Sequence, residues 1–190
     1  KYSGPINWVG NSFIAKSSDI ESDFPLTKPA SEILSDDNST FFNSMLIEIL
    51  RANPLKNVDL KLEGYAENAK LALTFGFSAE FDFGKFDDKT DNTSIYLIYS
   101  FGQSILYNPK SRIIISSVPI RHITPHVIKN EEIQNFKNIK IELMKRSFYN
   151  NDTPKQTYIQ QFRNMLEKQS FKKIEWKGKK PKVTDVMVPD

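Results

Sequence analysis

Apolar and polar residues alternate most regularly in the middle of the chain, between residues 71 and 84. Successive side chains of a β-strand point to opposite faces, so this pattern predicts a long strand with one buried and one solvated face. A polar back face favours an antiparallel sheet that is covered on one side only. The positions predicted to be buried are Leu71, Leu73, Phe75, Phe77, Ala79, Phe81 and Phe83.

Two further strands follow, each after a polar turn. Ile95–Tyr107 and Arg112–Ile120 are rich in β-branched and aromatic residues, which are enriched in strands. Residues 87–94 and Asn108–Ser111 have the composition of turns. Pro119 indicates a strand end or an edge strand, because proline has no N–H group to donate to a neighbouring strand. Together the three strands predict an antiparallel meander.

Three segments show the 3.6-residue spacing of amphipathic helices. The first carries Phe41, Phe42, Met45, Leu46, Ile49 and Leu50 on one face, follows cap-forming residues 36–40 and ends before Pro54. The second runs from Glu131 to about Phe148. The third begins with a Thr153-x-x-Gln156 capping box, with Pro154 at its first position. Its inner face is predicted to hold Tyr158, Ile159, Phe162, Met165 and Leu166.

Shorter elements complete the order. Ile6–Lys16 reads as a first strand kinked at Gly10, and residues 17–31 as a loop with two prolines. Val58–Leu62 predicts a short strand, and Gly64–Lys70 a single turn. The order β-α-β-β-β-β-α-α predicts a two-layer α+β domain, with a mostly antiparallel sheet and a three-stranded meander packed against helices. We expect residues 1–170 to form this domain and 171–190 a Lys-rich tail.

Composition excludes several classes of site and of protein. The 190 residues contain no Cys, which removes disulfides, thiolate metal sites and Cys nucleophiles. No apolar run is long enough for a transmembrane helix. The net charge is +3, from 26 basic and 23 acidic residues. Residues 1–100 hold nine basic and fifteen acidic residues, residues 101–170 eleven and five, and residues 171–190 six and three.

This charge asymmetry has three interpretations. It is typical of an anionic partner for the tail, of contacts between copies of the chain, or of a solvated surface with a loose end. Phe171–Lys182 interleaves two aromatic residues with lysines, a pattern that could bind phosphates or a membrane surface. The predicted partner-binding residues of this docking arm are Lys172, Lys173, Trp176, Lys177, Lys179, Lys180 and Lys182.

Candidate catalytic chemistry is sparse. His122 and His126 have a metal-ligand spacing only if they share a helix, and the Thr124-Pro125 pair between them favours a loop instead. Glu131 and Glu132 follow and could complete a metal site. Glu80 and Asp82 are predicted to share the solvated face of the long strand, as an acid/base pair or simply as its polar side. No Gly-rich phosphate loop and no G-x-S-x-G motif occur. We expect no catalytic residue, metal, cofactor or small-molecule substrate.

One turn and the strand order resemble a known family. The segment Leu106–Ser116 places Asn108-Pro109-Lys110-Ser111 before a β-branched strand. This is similar to the TolB N-terminal domain and to the CsgG-like α/β domains of bacterial envelope proteins, over roughly residues 6–148. The family often has Asp-x-x-Thr/Ser-Gly at this turn; here Asn108 takes the place of Asp and the Gly is missing. The resemblance implies a periplasmic or envelope protein that assembles or binds partners without catalysis.

Three functions remain open from the sequence. The first is a non-enzymatic envelope module that acts through a protein partner or through homo-oligomers, with the tail as a docking arm. The second is a nucleic-acid or anionic-surface binder that acts through the Lys/Trp tail. The third is an enzyme that uses Glu80 and Asp82, or the His122/His126 segment.

Overall fold

The computed structural model describes residues 4–32, 40–88, 92–129, 136–150 and 157–168. In chain order the elements are β1 Ile6–Phe13, a 3-10 turn Ser17–Asp19, α1 Ile20–Asp23, α2 Thr27–Ser31, α3 Phe41–Ala52, β2 Leu60–Lys61, β3 Leu71–Asp88, β4 Thr93–Asn108, β5 Ile113–Lys129, α4 Phe136–Phe148 and α5 Tyr158–Lys168.

The described strands form one mixed sheet in the order β2-β1-β3-β4-β5. β1 runs parallel to both of its neighbours, whereas β3, β4 and β5 form the predicted antiparallel meander. Helices α3, α4 and α5 cover one face of the sheet. The predicted two-layer α+β fold is therefore confirmed. The division into a domain of residues 1–170 and a tail of 171–190 stays a prediction, because the tail lies outside the described residues.

The predicted kink in β1 is confirmed. Gly10 has a φ of +92°, a left-handed conformation that glycine adopts at little cost. The register of β1 on β3 shifts between Trp8 and Asn11. Thr74 fixes this bulge from the neighbouring strand, since its hydroxyl donates to the Gly10 carbonyl at 2.8 Å.

β5 is longer than the sequence predicts. The prediction that it ends at Ile120 is wrong: the strand pairs with β4 as far as Lys129. Pro119 and Pro125 do not interrupt it, because β5 is an edge strand among the described residues. Both prolines have the same parity along the strand, and pairing with β4 continues past each of them, as expected when the missing N–H group points away from the partner strand. The turn before β5 is as predicted, with the Asn108 Oδ1 accepting from the amides of Lys110 and Ser111 at 3.0 and 3.1 Å.

β3 follows the predicted alternation only over its first half. Leu71, Leu73, Phe75 and Phe77 are buried, but the register on β4 shifts between Phe77 and Ala79. This bulge inserts one extra residue and so exchanges the faces of the following side chains. Phe81, which the pattern places in the core, is 51% exposed.

The helices match the sequence pattern closely. α3 buries Phe42, Leu46 and Leu50 and ends at Asn53, before Pro54. α4 buries Leu143 and Met144. α5 buries Tyr158, Ile159, Phe162 and Leu166. The predicted capping residues 36–39 and the Thr153–Gln156 capping box lie outside the described residues. The prediction that Thr157 already belongs to the last helix is wrong: α5 begins at Tyr158, and the Thr157 hydroxyl accepts the Gln160 amide at 3.4 Å, as a cap does.

Residues 17–31 correct the prediction of a plain loop. They form the 3-10 turn and the short helices α1 and α2, and they contribute Phe24, Leu26 and Ala30 to the core. Pro29 is tolerated because it lies in the first turn of α2, where a backbone N–H has no helical partner. The apolar residues here are too few for helical periodicity to show.

Aromatic rings hold the two layers together. Phe42 of α3 contacts Phe75, Phe77, Phe148 and Tyr158, with ring centroids 5.1 to 6.4 Å apart. These rings come from α3, β3, α4 and α5, so one cluster joins every long helix to the sheet. Rings at these separations and angles stabilise by about 0.5–1.5 kcal/mol per pair beyond the area they bury.

Gly102 makes room for this cluster on β4. A Cβ atom at this position would overlap the Phe75 ring and would lie 2.7 Å from the Tyr158 hydroxyl. Gly76 differs, because a Cβ there would meet only side chains, chiefly that of Ile14 at 2.6 Å. Ile14 is 42% exposed and can move away, whereas Phe75 is locked by its neighbours.

We predict that Gly102→Ala lowers the free energy of unfolding by about 3 kcal/mol, the upper range for overpacking a tight core. Gly76→Ala is the matched control, and we expect a change below about 1 kcal/mol. Urea denaturation of the two variants measures both values. Equal losses at the two positions would contradict the packing described for Phe75 and Tyr158.

Candidate functional site

Glu80 does not lie on the solvated face where the sequence pattern places it. The bulge in β3 turns its side chain toward the helices, at the start of α2. One carboxylate oxygen accepts the Thr27 amide at 2.6 Å, and the two oxygens share the Leu26 amide at 3.1 and 3.2 Å. Leu26 and Thr27 are themselves buried, so this carboxylate satisfies two amides that have no helical partner.

The predicted acid/base pair is therefore not present in its predicted form. Glu80 is engaged in a charge-assisted contact with backbone N–H groups, an arrangement typical of a helix cap. The side chain of Asp82 lies outside the described residues. The prediction that both carboxylates share one solvated face is wrong for Glu80.

His122 and His126 lie in β5, which corrects the prediction of a loop. His122 is buried, with its ring 5.5 Å from that of Tyr158 on α5. His126 faces the same side and is paired across the sheet with the buried Tyr96. Four residues of strand separate the two Cα atoms by about 13 Å, too far for one metal ion. Glu131 and Glu132, the other candidate ligands, lie outside the described residues.

Burial favours the neutral form of both histidines. It lowers the pKa of His122 below its usual value, and the nearby Gln161 amide offsets part of this effect. Burial, the Arg146 guanidinium and His122 together lower the pKa of His126 to about 4. Burial also raises the pKa of Tyr158, whose hydroxyl donates to the Ile120 carbonyl at 3.5 Å. These groups pack the edge strand against the helices.

A cluster of buried polar side chains surrounds Met144, and no sequence pattern predicts it. The hydroxyls of Ser100 and Ser147 lie 3.4 Å from the Met144 sulfur, and that of Thr27 lies 3.9 Å away. Ser147 also donates to the Met144 carbonyl at 2.6 Å. All four residues are buried, so their arrangement joins α2, β4 and α4 and offers no access to a substrate.

The face of the meander opposite the helices carries the exposed apolar surface, which we call the outer patch. It lies on the half of β3–β5 beyond the bulge. Its strands align Phe81 with Tyr99 and Ile123, Leu97 with Pro125, and Ile95 with Val127. Val127 is 70% exposed, Phe81 51%, Ile123 42% and Ile95 40%. The outer patch consists of Phe81, Ile95, Leu97, Tyr99, Phe101, Ile123, Pro125 and Val127.

The opposite end of the same face is partly covered. The Asn7 side chain accepts the Ala66 amide at 3.1 Å and donates to the Ala66 carbonyl at 3.4 Å. This pair of hydrogen bonds holds the turn before β3 over β1. Asn7 is therefore buried although it faces away from the helices. Val9, Ile14 and Tyr65 are also exposed, at 51%, 42% and 66%, but the exposed residues that align on adjacent strands lie beyond the bulge.

Sequence reasoning missed the outer patch because the alternation in β3 gives no sign of a bulge. One signal was available: no Asp or Glu occurs between Thr93 and Lys129, a stretch that includes Lys110, Arg112, Arg121 and Lys129. An antiparallel hairpin with a solvated face usually carries both signs of charge, so a hairpin without acids indicates a specialised surface.

The predicted docking arm is not placed by the structure. Lys172, Lys173, Trp176, Lys177, Lys179, Lys180 and Lys182 all lie outside the described residues. In the part of the chain that the structure describes, no group of three or more His, Asp and Glu residues could hold a metal ion. None of the described helices combines the length and the apolar character needed to cross a bilayer.

No family model matches the chain, and no curated protein matches it. Several solved structures are similar to it, and two of them are bacterial lipoproteins by name. One is a minor lipoprotein from Acinetobacter baumannii, with 11% identity, a TM-score of 0.38 and coverage of 83% of this chain and 91% of that one. The other is the rare lipoprotein B from Shewanella oneidensis, with 14% identity, a TM-score of 0.32 and coverage of 85% and 96%.

Likeness at these TM-scores assigns neither a family nor a function to this chain. The resemblance to TolB and CsgG-like domains stays a prediction. The structure is a two-layer α+β protein in which one face of the sheet packs against helices and the other carries the exposed outer patch.

We predict that His126 makes stability fall in mild acid. Between pH 6.5 and about 4, His126 binds more protons in the unfolded chain than in the folded one. The free energy of unfolding is therefore unaffected by this histidine above pH 6.5, and it decreases as the pH falls toward 4. His126→Gln should remove on the order of 2 kcal/mol of the loss between pH 7 and pH 4.5. Urea denaturation of both proteins at the two pH values measures this difference, and equal losses would contradict it.

Proposed function

We propose that this protein is a non-enzymatic module associated with the bacterial cell envelope, and that it acts by binding a partner or by assembly. The outer patch is the observation that carries this proposal. Monomeric soluble proteins seldom expose a contiguous apolar surface without a use for it, and such surfaces mark sites of interaction. Here the exposed residues are aligned on adjacent strands of one rigid sheet.

The positions of the candidate acid/base residues support a role without catalysis. The Glu80 carboxylate accepts hydrogen bonds from two backbone amides. His122 and His126 pack between the sheet and the helices, where burial favours their neutral form. A catalytic acid or base must be within reach of a substrate proton, and these three side chains face the interior.

The Lys-rich tail supplies the second element of the proposal. Six lysines and Trp176 within twelve residues form an arm suited to an anionic or acidic surface. An arm of this kind adds affinity to a first contact because it acts at a high effective concentration. We therefore propose that the outer patch and the tail serve the same function, which is attachment to a partner.

Cell fractionation tests this proposal. The six lysines 172, 173, 177, 179, 180 and 182 are changed together to glutamine, with the six-arginine variant as the matched control that keeps the charge. The protein should fractionate with the envelope, and the glutamine variant should reduce that fraction about tenfold at low salt, as expected for losing several cationic contacts. The arginine variant should behave like the wild type.

Two results would contradict the proposal. One is a wild-type protein found in the cytosolic fraction of cells that express it from its natural gene. The other is an envelope-bound fraction that the glutamine variant leaves unchanged, which would remove the tail from the mechanism.

A further inference from the structure

The outer patch combines exposed apolar side chains with positive charge. Arg121 and Lys129 are exposed and occupy the same face of β5 as Ile123 and Val127, because all four have odd positions along the strand. The even positions Ile120, His122 and Ile128 are buried toward the helices. The apolar surface is therefore bordered along β5 by two long cationic side chains.

Among the described side chains, two observations account for the absence of negative charge on this surface. The whole β4–β5 hairpin, from Thr93 to Lys129, contains no acidic residue. On β3 the bulge turns Glu80 to the helix side, where it binds the amides of Leu26 and Thr27. Phe81 thus takes the exposed position on the outer face. Among the residues whose side chains are described, the patch and its border carry charges of one sign.

Addition of a partner strand to the edge of β5 is disfavoured. Pro119 and Pro125 remove the N–H groups that would point away from β4 at those positions, which weakens any ladder formed on that side. A second copy of the chain on the outer patch is also disfavoured, because the described part of the patch offers no acidic side chain to pair with Arg121 and Lys129 of the other copy. The occupant should therefore be negatively charged and should meet the face rather than the edge.

The apolar residues favour a lipid surface over a nucleic acid. Five of the eight residues of the outer patch are aliphatic or proline, and these offer no ring for base stacking. The rings of Phe81 and Phe101 meet edge to face, at 83° and 5.7 Å, so their faces do not form one stacking platform. Aliphatic and aromatic side chains bordered by Arg and Lys match the boundary between lipid head groups and acyl chains.

We propose that the outer patch docks on the surface of an anionic lipid bilayer. The apolar side chains of β3, β4 and β5 enter the head-group region, and Arg121 and Lys129 pair with lipid phosphates while their stems follow the apolar surface. This inference rests on the proposed envelope function and names the surface that the module meets. The bilayer itself, with its fluid apolar boundary, is the ligand; a free phosphate would use only the two cations.

Vesicle sedimentation tests the proposal with the full chain. The two probes are large unilamellar vesicles of phosphatidylcholine alone and of phosphatidylcholine with phosphatidylglycerol at about 3:1, which carry the surface charge that attracts cationic residues. We expect binding to the second kind of vesicle that weakens with salt. Ile123→Ser with Val127→Ser should weaken it about tenfold, because two exposed apolar side chains no longer enter the boundary.

Charge is tested separately from apolar contact. Arg121→Gln with Lys129→Gln should weaken binding about tenfold. Lys16→Gln with Lys56→Gln is the matched control, since it removes the same charge from exposed positions elsewhere, and it should leave binding within about twofold. These substitutions replace exposed side chains, so circular dichroism and thermal unfolding should match the wild type.

The remaining outcomes overturn either this proposal or the proposed function. If the outer-patch variants leave vesicle binding unchanged and the six-lysine glutamine variant abolishes it, the contact belongs to the tail. A concentration-dependent dimer that the Ile123/Val127 variant abolishes would make a second copy the occupant. Absence of vesicle binding together with an envelope fraction in cells would refute this inference alone, whereas vesicle binding by a protein found in the cytosol would refute the proposed function alone.

Discussion

The Glu80 carboxylate and the amides of Leu26 and Thr27 form the contact on which both faces of the sheet depend. The contact exists because one extra residue between Phe77 and Ala79 changes the register of β3 on β4. A buried amide without an acceptor costs about 1–3 kcal/mol, and a carboxylate that left water for an apolar layer without donors would cost more. Each group is stable where it lies because the other is present.

The two faces of the meander follow from this exchange. On the inner side, α2 is fixed over β3, and Thr27 then reaches the Met144 sulfur of α4 beside Ser100 of β4. On the outer side, Phe81 replaces Glu80, and it meets Phe101 edge to face. Removing one negative charge from the outer surface and adding one ring to it are consequences of the same bulge. The acid-free hairpin extends that surface across β4 and β5.

Most of the fold could be predicted because its signals are local. Apolar spacing in Phe41–Ala52 and Tyr158–Lys168 is that of amphipathic helices, and the Asn108 turn carries its own hydrogen-bonding side chain. The bulge could not be predicted, since an unbroken alternation through Phe83 favours an unbroken strand. The positions of His122 and His126 could not be predicted because they depend on strand pairing. Pro125 disfavours the interior of a strand, but an edge strand accommodates it. Both histidines then lie on the face of β5 that packs against the helices. The tail has no periodic pattern of apolar residues, and the partner-binding role of its lysines remains a prediction.

Amide hydrogen exchange at Leu26 and Thr27, followed by NMR, tests this account most directly. If Glu80 accepts both amides, they exchange slowly in the wild type, and Glu80→Ala speeds their exchange about tenfold or more, the effect expected when a buried donor loses its acceptor. Glu67→Ala, a substitution of an exposed acid outside this contact, should leave both rates unchanged. Two results would contradict the placement of Glu80 and, with it, the explanation of the exposed Phe81. One is exchange at Leu26 and Thr27 that is as fast as in an unfolded peptide. The other is an exchange rate that Glu80→Ala leaves unchanged.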